Sequence, residues 1–477
     1  MPFAISPGYR YKMKIALVYP PSYELNLKGY PLGLAYLSSS LKRKHQVNTY
    51  DFNGKEFRKS LNSFFNSLKE TKPDLVGISF NSFNRWGAYK IIERIKKISE
   101  DIIVVLGGVH PSTLCTQVFQ YFFGFVDFII QSEGEQSFYK LCNSLAAEEN
   151  PSNISGLAYK NGERSFNINP VTDTVNNLDD LPFPDYSYAS EKIKGTEFAY
   201  LITSRGCPVN CSFCSTSSFW GQHVRMNSPE RVGEEVDYVK RLGAKRIFFH
   251  DDTFNLGIER TIRMAQILKE KNIEYAISCR VRPVNDEMIA KLVESGCRHI
   301  TWGVESLSDR ILKTIDKKIT KEEVKNAFDI CAKYSDKLST GAFFCIGAPG
   351  ETEETINESV DYLNKNIRST HGPGASILYI LPGTKIYREL VKNGEFDEKA
   401  WLKTDSVYYY TKEHNIMTLN KWRKKINNSG IRLPFCSEYF LDYAIQERKE
   451  DIGAFRKGLR KNCKKMARFI NMLRNRY

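Results

Sequence analysis

The chain of 477 residues carries 69 Lys and Arg against 55 Asp and Glu, a formal net charge of +14, with 42% hydrophobic and 26% charged residues. That length exceeds what one hydrophobic core organises and predicts two or three domains, and the composition excludes a chain disordered throughout. No apolar run approaches the roughly 20 residues that span a bilayer, which excludes a helical integral membrane protein. Residues 1 to 10 lack a signal-peptide core, and Met13, at the start of a strand-like run, is a candidate initiator. Eleven cysteines, an odd number, fit a reducing cytoplasm rather than a disulfide framework.

From Lys14 onward the pattern alternates between strand and helix. Strands are predicted at Lys14 to Tyr19, Gln46 to Tyr50, Asp74 to Phe80, Ile102 to Leu106 and Phe125 to Ile130. Helical spacing of Leu34, Leu37 and Leu41 marks the segment from Pro31 to Lys44. This βαβ rhythm implies a doubly wound parallel sheet over residues 13–150, with ligands at the carboxyl ends of its strands. Residues 151–197 break the rhythm: Lys160-Asn161-Gly162-Glu163 is a hairpin signal, and Asp179 to Pro184 reads as a linker. A second βα series fills residues 198–390, with strands at Phe198 to Thr203, Arg246 to His250, Tyr275 to Ser278, His299 to Gly303, Gly341 to Ile346 and Ser376 to Leu381. Six such units suggest a full or partial barrel whose chemistry sits at the C-terminal strand ends. Residues 391–477 form a C-terminal region beside the substrate pocket and a basic helical tail; Trp401 and Tyr408-Tyr409-Tyr410 read equally as core or as recognition surface.

The decisive motif follows the first strand of that series. Cys207, Cys211 and Cys214 make a C-x3-C-x2-C run directly after Ser204-Arg205-Gly206. Three thiolates in one tight loop suit an iron–sulfur cluster. Tetrahedral zinc needs a fourth ligand, for which His223 is the nearest candidate. The motif and its position resemble the radical S-adenosylmethionine superfamily, whose C-x3-C-x2-C loop follows the first strand of a partial (β/α)6 barrel.

That resemblance implies a [4Fe–4S] cluster on Cys207, Cys211 and Cys214, whose open iron binds S-adenosylmethionine and yields a 5′-deoxyadenosyl radical. It places Phe213 beside the adenine, and Asp251 or Asp252 at the end of the second strand on the cofactor's amino group. An acidic pair suits an ammonium. Arg280 or Arg282 after the third strand suits the carboxylate, and alternation puts both on one face. Glu305 ends the fourth strand among the polar contacts, and Ile346 and Gly347 end the fifth along the adenine.

The first half resembles the cobalamin-binding domain that precedes the barrel in one branch of the superfamily. Tyr19-Pro20-Pro21, Gly77-Ile78-Ser79, Gly107-Gly108-Val109-His110-Pro111 and Ser132-Glu133-Gly134-Glu135 carry the likeness. It implies a cobalamin site at Ser79, Gly107, Gly108, Glu133 and Gly134, where glycines permit close approach to a large planar ligand. The D-x-H-x-x-G motif of domains that ligate cobalt is missing: Ser22 to Gly29 holds no His, and His110 reads as a loop residue.

The implied activity is cobalamin-dependent methylation of an unactivated carbon in a small-molecule or lipid-like substrate, with an electron donor such as flavodoxin or ferredoxin. A radical cyclase or rearranging enzyme without methyl transfer is the alternative, and a non-catalytic cluster scaffold or sensor the more distant one. Methylthio transfer fits poorly, because only Cys115 and Cys142 precede the barrel. The basic excess is local: residues 421–477 hold 16 Lys and Arg against 5 Asp and Glu. That tail reads as a basic amphipathic helix, packed on the barrel or docked on an anionic membrane surface, and does not point to nucleic acid. The expected location is the cytoplasm, with the membrane surface as a peripheral site.

Overall fold

A strand buried on both faces reads as an unbroken apolar run, and Lys14–Tyr19 (β1) is one: Ile15 through Val18 are all buried. In the computed structural model, which describes residues 12–22, 29–53 and 57–433, β1 pairs in parallel with Gln46–Asp51 (β2) and Leu75–Ser79 (β3). Ile103–Gly107 (β4) and Phe128–Ile130 (β5) continue the parallel sheet. The order β2-β1-β3-β4-β5 is doubly wound, and it reverses between β1 and β3, where such sheets open a ligand crevice.

The expected domain boundary at residue 150 is displaced. Leu157–Lys160 (β6) and Phe166–Ile168 (β7) form the anticipated hairpin, but it adds two antiparallel strands to the same sheet. The short β5 would otherwise leave its edge unpaired, and the hairpin covers it.

Phe198–Leu201 (β8) begins the second unit. Ser204–Arg205 (β9) and Arg225–Met226 (β10) then form a small antiparallel ribbon. Arg246–Phe249 (β11), Glu274–Arg280 (β12), Cys297–Glu305 (β13) and Ser339–Ile346 (β14) follow. After the short Arg368–Ser369 (β15), Gly372–Ile377 (β16) closes the series, and Ile431–Arg432 (β17) pairs with β15. The strands β8, β11, β12, β13, β14 and β16 make an open, all-parallel sheet in sequential order, a partial (β/α)6 barrel. Residues such as Ile247, Phe249, Ile277, Ile300, Trp302 and Phe344 pack outward under the helices in the largest core. Alternation turns Tyr200, Phe248, Arg280 and Glu305 inward.

The last barrel strand was expected at Ser376 to Leu381 and lies four residues earlier. Gly372-Pro373-Gly374 reads as a break, yet β16 is an edge strand, where proline costs no ladder bond. Helix ends follow local rules. Thr320 and Glu323 make a reciprocal capping box on Lys321–Ala332, and Ser228 caps Pro229–Arg241 with proline in its first turn.

The chain after the barrel returns to the first domain. Leu378, Ile380, Ile386, Leu390 and Trp401 share a core with Phe80, Ala88 and Ile92. Trp401 is therefore core. Buried Arg85 holds it from the other side, stacking 4.6 Å from its ring and donating to the carbonyls of Trp401, Thr404 and Ser406. Among the described residues no helix is long and apolar enough to cross a membrane. The nine described cysteines are free. The basic amphipathic helix expected near the C-terminus falls on residues 434–477, outside the described residues.

Candidate active site

The cysteine loop is fixed at its root by the strand ends around it. Gly206 turns the chain with φ +96°, and a Cβ there would lie 2.8 Å from the His223 carbonyl. The loop is then pinned twice: Ser212 donates its N–H to the Ile315 carbonyl, and Ile386 donates to the Ser212 carbonyl, both at 3.0 Å. Cys214 N–H donates to the Cys211 carbonyl, which closes a turn carrying two of the three thiols. Cys214 lies within electrostatic reach of both other thiols. Burial pushes the Cys211 thiol up to about 11. Among the described residues no three His, Cys, Asp or Glu side chains converge as ligands of one metal ion. A cluster needs no such convergence, because each iron takes one thiolate. The loop thus fits a [4Fe–4S] cluster held through Cys207, Cys211 and Cys214.

The predicted cofactor contacts divide. Asp251 is turned into the protein: its carboxylate accepts from the Thr203 N–H, the Thr203 hydroxyl and the Ser204 hydroxyl. It positions the exit of β8 rather than facing the loop. Asp252 is exposed and accepts from Thr216 at 2.8 Å, leaving it as the carboxylate beside the cysteines. Arg280 and Arg282 do not share a face. The strand ends at Arg280, which is buried and anchored through its N–H on Asn255; Arg282 points outward to Glu323 at 2.9 Å. Glu305 ends β13 and meets Lys317, which the sequence did not single out, at 2.8 Å. Phe213 packs among Ile311, Ile315 and Ala348. Ile346 is buried, and Gly347, at φ +89°, donates its N–H to the buried Glu351.

Asp251 carries a pH signature. Burial pushes its carboxyl from an ordinary 3.8 up to about 6, only partly offset by the Ser204 and Thr203 hydrogen bonds. A raised folded value means that protonation favours the fold. The contribution is complete below pH 3.8 and is lost as pH rises through about 6. Asp251→Asn is expected to flatten the fall in urea midpoint between pH 4 and 6, and an unchanged slope would assign that fall to other groups.

The second site is a cleft at the carboxyl ends of β1, β3 and β4, with ≈ 950 Å³ of free space including its open mouth. All five predicted cobalamin residues, Ser79, Gly107, Gly108, Glu133 and Gly134, line it. Its walls are largely apolar, from Leu17, Leu34, Leu37 and Phe138, which suits a large planar ligand. Gly108 holds φ +93°, and a Cβ there would lie 2.6 Å from the Phe80 carbonyl. Gly108→Ala is expected to cost at least about 1–2 kcal/mol of stability and to lower cobalamin retention. Retention equal to the parent would count against the cleft. His110 is no loop residue: it sits buried in the helix Val109–Thr113, its two ring nitrogens 3.0 Å from Ser82 and Tyr89 hydroxyls. Burial pushes it down to about 3, and both nitrogens are committed to the protein. The stretch where a cobalt-ligating motif was sought, Tyr23 to Lys28, lies outside the described residues.

The two sites touch. Phe219 and Trp220, five and six residues beyond Cys214, form one wall of the cleft. Glu133 lines the cleft but its carboxylate faces away, bridging Arg205 at 2.8 Å and Arg225 at 2.6 Å. Arg205 also pairs with Glu135 at 2.6 Å, and its guanidinium stacks on Tyr36 and Trp220. Arg205 and Arg225 are direct cross-strand partners in the β9–β10 ribbon, a like-charge pair that Glu133 bridges and that Glu133 and Glu135 together neutralise. The Glu133 carboxyl is pushed up by burial, but Arg225 and Arg205 more than offset this and hold it below the ordinary carboxylate range. The network roots the cysteine loop in the first domain, two residues before Cys207.

Two family models match the chain: the radical SAM superfamily over residues 201–363 and the B12 binding domain over residues 23–141. An uncharacterized methyltransferase of Pyrococcus horikoshii is 31% identical over 438 residues, covering 90% of this chain and 92% of that protein. The cytidylyl-2-hydroxyethylphosphonate methyltransferase of Streptomyces wedmorensis is 24% identical, with 87% of each chain covered. Among solved structures, the radical S-adenosylmethionine methyltransferase TsrM of Kitasatospora setae, with cobalamin and a [4Fe–4S] cluster bound, superposes with a TM-score of 0.68 at 18% identity. That likeness covers 80% of this chain and 75% of TsrM.

Proposed function

The chain belongs to the radical S-adenosylmethionine superfamily, in the branch that carries a B12-binding domain, and we propose that it methylates an unactivated carbon of a small-molecule or lipid-like acceptor. It is a methyltransferase of the cobalamin-dependent kind, with a [4Fe–4S] cluster, S-adenosylmethionine and cobalamin as cofactors. The observation that carries the reading is the shared wall: Trp220 belongs to the segment after the cluster cysteines and to the cleft that fits cobalamin. When bound, the cluster supplies the electron that cleaves S-adenosylmethionine reductively, and cobalamin supplies the methyl group.

The protein's own work is positioning and exclusion of water. Cys207, Cys211 and Cys214, in the loop after β8 and β9, would hold the cluster. Asp252, Arg280 and Glu305 stand around the mouth of the barrel with charges suited to a zwitterion, while Asp251 and Gly206 shape the loop. Phe213, which packs with Ala348, is the residue that would contact the adenine. Gly107, Gly108 and Gly134 keep the cleft free of side chains, and Arg205 fixes its distance from the cysteine loop. The test is cobalamin content after anaerobic purification with cobalamin supplied. Stoichiometric cobalamin in the parent is expected. A protein that holds its cluster and binds no cobalamin would favour a radical enzyme without methyl transfer.

A further inference from the structure

Side chains alternate along a strand, so every second one in the barrel faces the lumen. On β8, β11 and β12 the inward positions form layers, because the strands pair in register. Phe198, Arg246 and Glu274 make the lowest layer, where Glu274 meets Arg246 at 3.7 Å and Arg298 at 3.1 Å. Arg280 stands at the upper end, near the cysteine loop. Between these charged levels the three strands turn inward only Tyr200, Phe248, Ala276, Ser278 and His250. His250 continues β11, donating its N–H to the Leu201 carbonyl at 2.7 Å.

His250 is the polar group of this middle level. Its ring lies 4.8 Å from that of Tyr200 and 4.7 Å from that of Phe248. It is exposed to the lumen yet closely walled: burial alone pushes its pKa down to about 4, with no charge or hydrogen bond offsetting it. The imidazole is therefore neutral at pH 7, with one nitrogen free to donate and one to accept. Across the lumen on β14, Phe343 is 55% exposed, while Ala342 and Phe344 turn outward into the core. Its register partners are Gly303 on β13 and Gly374 on β16, so neither flanking position carries a side chain to cover it. A closed barrel fills this space with branched side chains. Here an aromatic face is left open across from an imidazole whose hydrogen bonds are unspent. A charged ligand group at this level would be desolvated without a counter-ion.

We propose that the methyl acceptor is a flat aromatic molecule that lies in the lumen against Phe343 and is oriented through one uncharged polar group by His250. Phe343, Tyr200 and Phe248 offer ring faces and edges to such a molecule, and the imidazole hydrogen-bonds its polar group. His250 directly precedes Asp251 and Asp252, so the group it holds is fixed toward the cysteine-loop end of the lumen. His250 is a specificity-determining residue: it binds the acceptor and takes no part in bond changes. The proposal narrows the acceptor class and rests on the methyltransferase reading above.

The test is equilibrium dialysis with cluster-reconstituted, full-length protein supplied with cobalamin, which closes the other apolar cleft. Three probes separate the terms: 2-naphthol, naphthalene, which lacks the hydroxyl, and 2-decalol, which keeps the hydroxyl on a saturated, puckered frame. The parent is expected to bind 2-naphthol at least about tenfold more tightly than 2-decalol. His250→Phe is expected to weaken 2-naphthol on the order of 5- to 10-fold and to leave naphthalene within about twofold. His250→Gln, which keeps a hydrogen-bonding group, should recover part of that loss. Phe343→Ala should weaken both aromatic probes alike, a readout that stands even if His250→Phe fails to fold. Equal binding of 2-decalol and 2-naphthol would overturn the aromatic class. Parent-like or equally weakened binding of both aromatic probes in His250→Phe would overturn the role of His250. A parent that holds both cofactors and binds no probe would overturn the proposal entirely, whereas a parent that takes up no cobalamin would defeat the methyltransferase reading instead.

Discussion

Replacing Arg205 by methionine is expected to lower stability by roughly 3–5 kcal/mol, because it strands a buried carboxylate. The methionine fills most of the volume between Tyr36 and Trp220 but cannot answer Glu135, which Arg205 meets at 2.6 Å. Glu133 would keep Arg225. The double variant Arg205→Met/Glu135→Gln is therefore expected to recover part of the loss, which two unconnected residues would not do. The change should also reach the chemistry. Arg205 stands two residues before Cys207, so the single variant is expected to hold its cluster less firmly, read as iron content after gel filtration. Urea midpoints give the stability. Equal midpoints for parent and single variant would remove the network from the account. Acid should imitate the variant: the depressed carboxyl of Glu133 stabilises the fold above its unfolded value, and that contribution is lost as pH falls through the folded one.

Cys211→Ala is expected to abolish the cluster outright. Two thiolates remain, and Cys211 is the buried member of the three, so solvent cannot readily substitute for it. The variant should lose the visible absorption of the oxidised cluster and the EPR signal of the reduced one. Cys345→Ala is the matched control. Cys345 is also buried in the barrel and is close enough to Cys214 to feel its charge, but it lies outside the motif. It is expected to retain the cluster. Retention by Cys211→Ala, or loss of the cluster in both variants, would break the ligand assignment.

The two α/β units were legible because parallel strands buried on both faces are written as apolar runs, Ile15 to Val18 in the first and Tyr275 to Ile277 in the second. The cysteine loop was legible because its three cysteines, Cys207, Cys211 and Cys214, lie close together in sequence at a fixed spacing. The five cleft residues came from the likeness to the cobalamin-binding domain; three of them, Gly107, Gly108 and Gly134, are glycines that follow strands, where a missing side chain leaves room for a ligand. Less was visible where partners are far apart in sequence. Arg205 and Glu133 are 72 residues apart, and no local pattern links a strand-exit arginine to an acid in another domain. Lys317 sits in a turn after a short helix, where a lysine ordinarily faces solvent, and only the fold brings it to Glu305. The equivalence of Arg280 and Arg282 failed because β12 stops between them, at Arg280. Asp251 and Asp252 look alike as text, but one is consumed by Thr203 and Ser204 while the other remains exposed. The hairpin Leu157–Lys160 and Phe166–Ile168 was readable as a hairpin, though its sheet was not, since nothing local states which edge it covers.

The most direct measurement is 5′-deoxyadenosine formed by cluster-reconstituted, cobalamin-supplied protein given S-adenosylmethionine and dithionite without oxygen. The account predicts its formation by the parent and its absence in Cys211→Ala. An intact reducible cluster that yields no 5′-deoxyadenosine would contradict it.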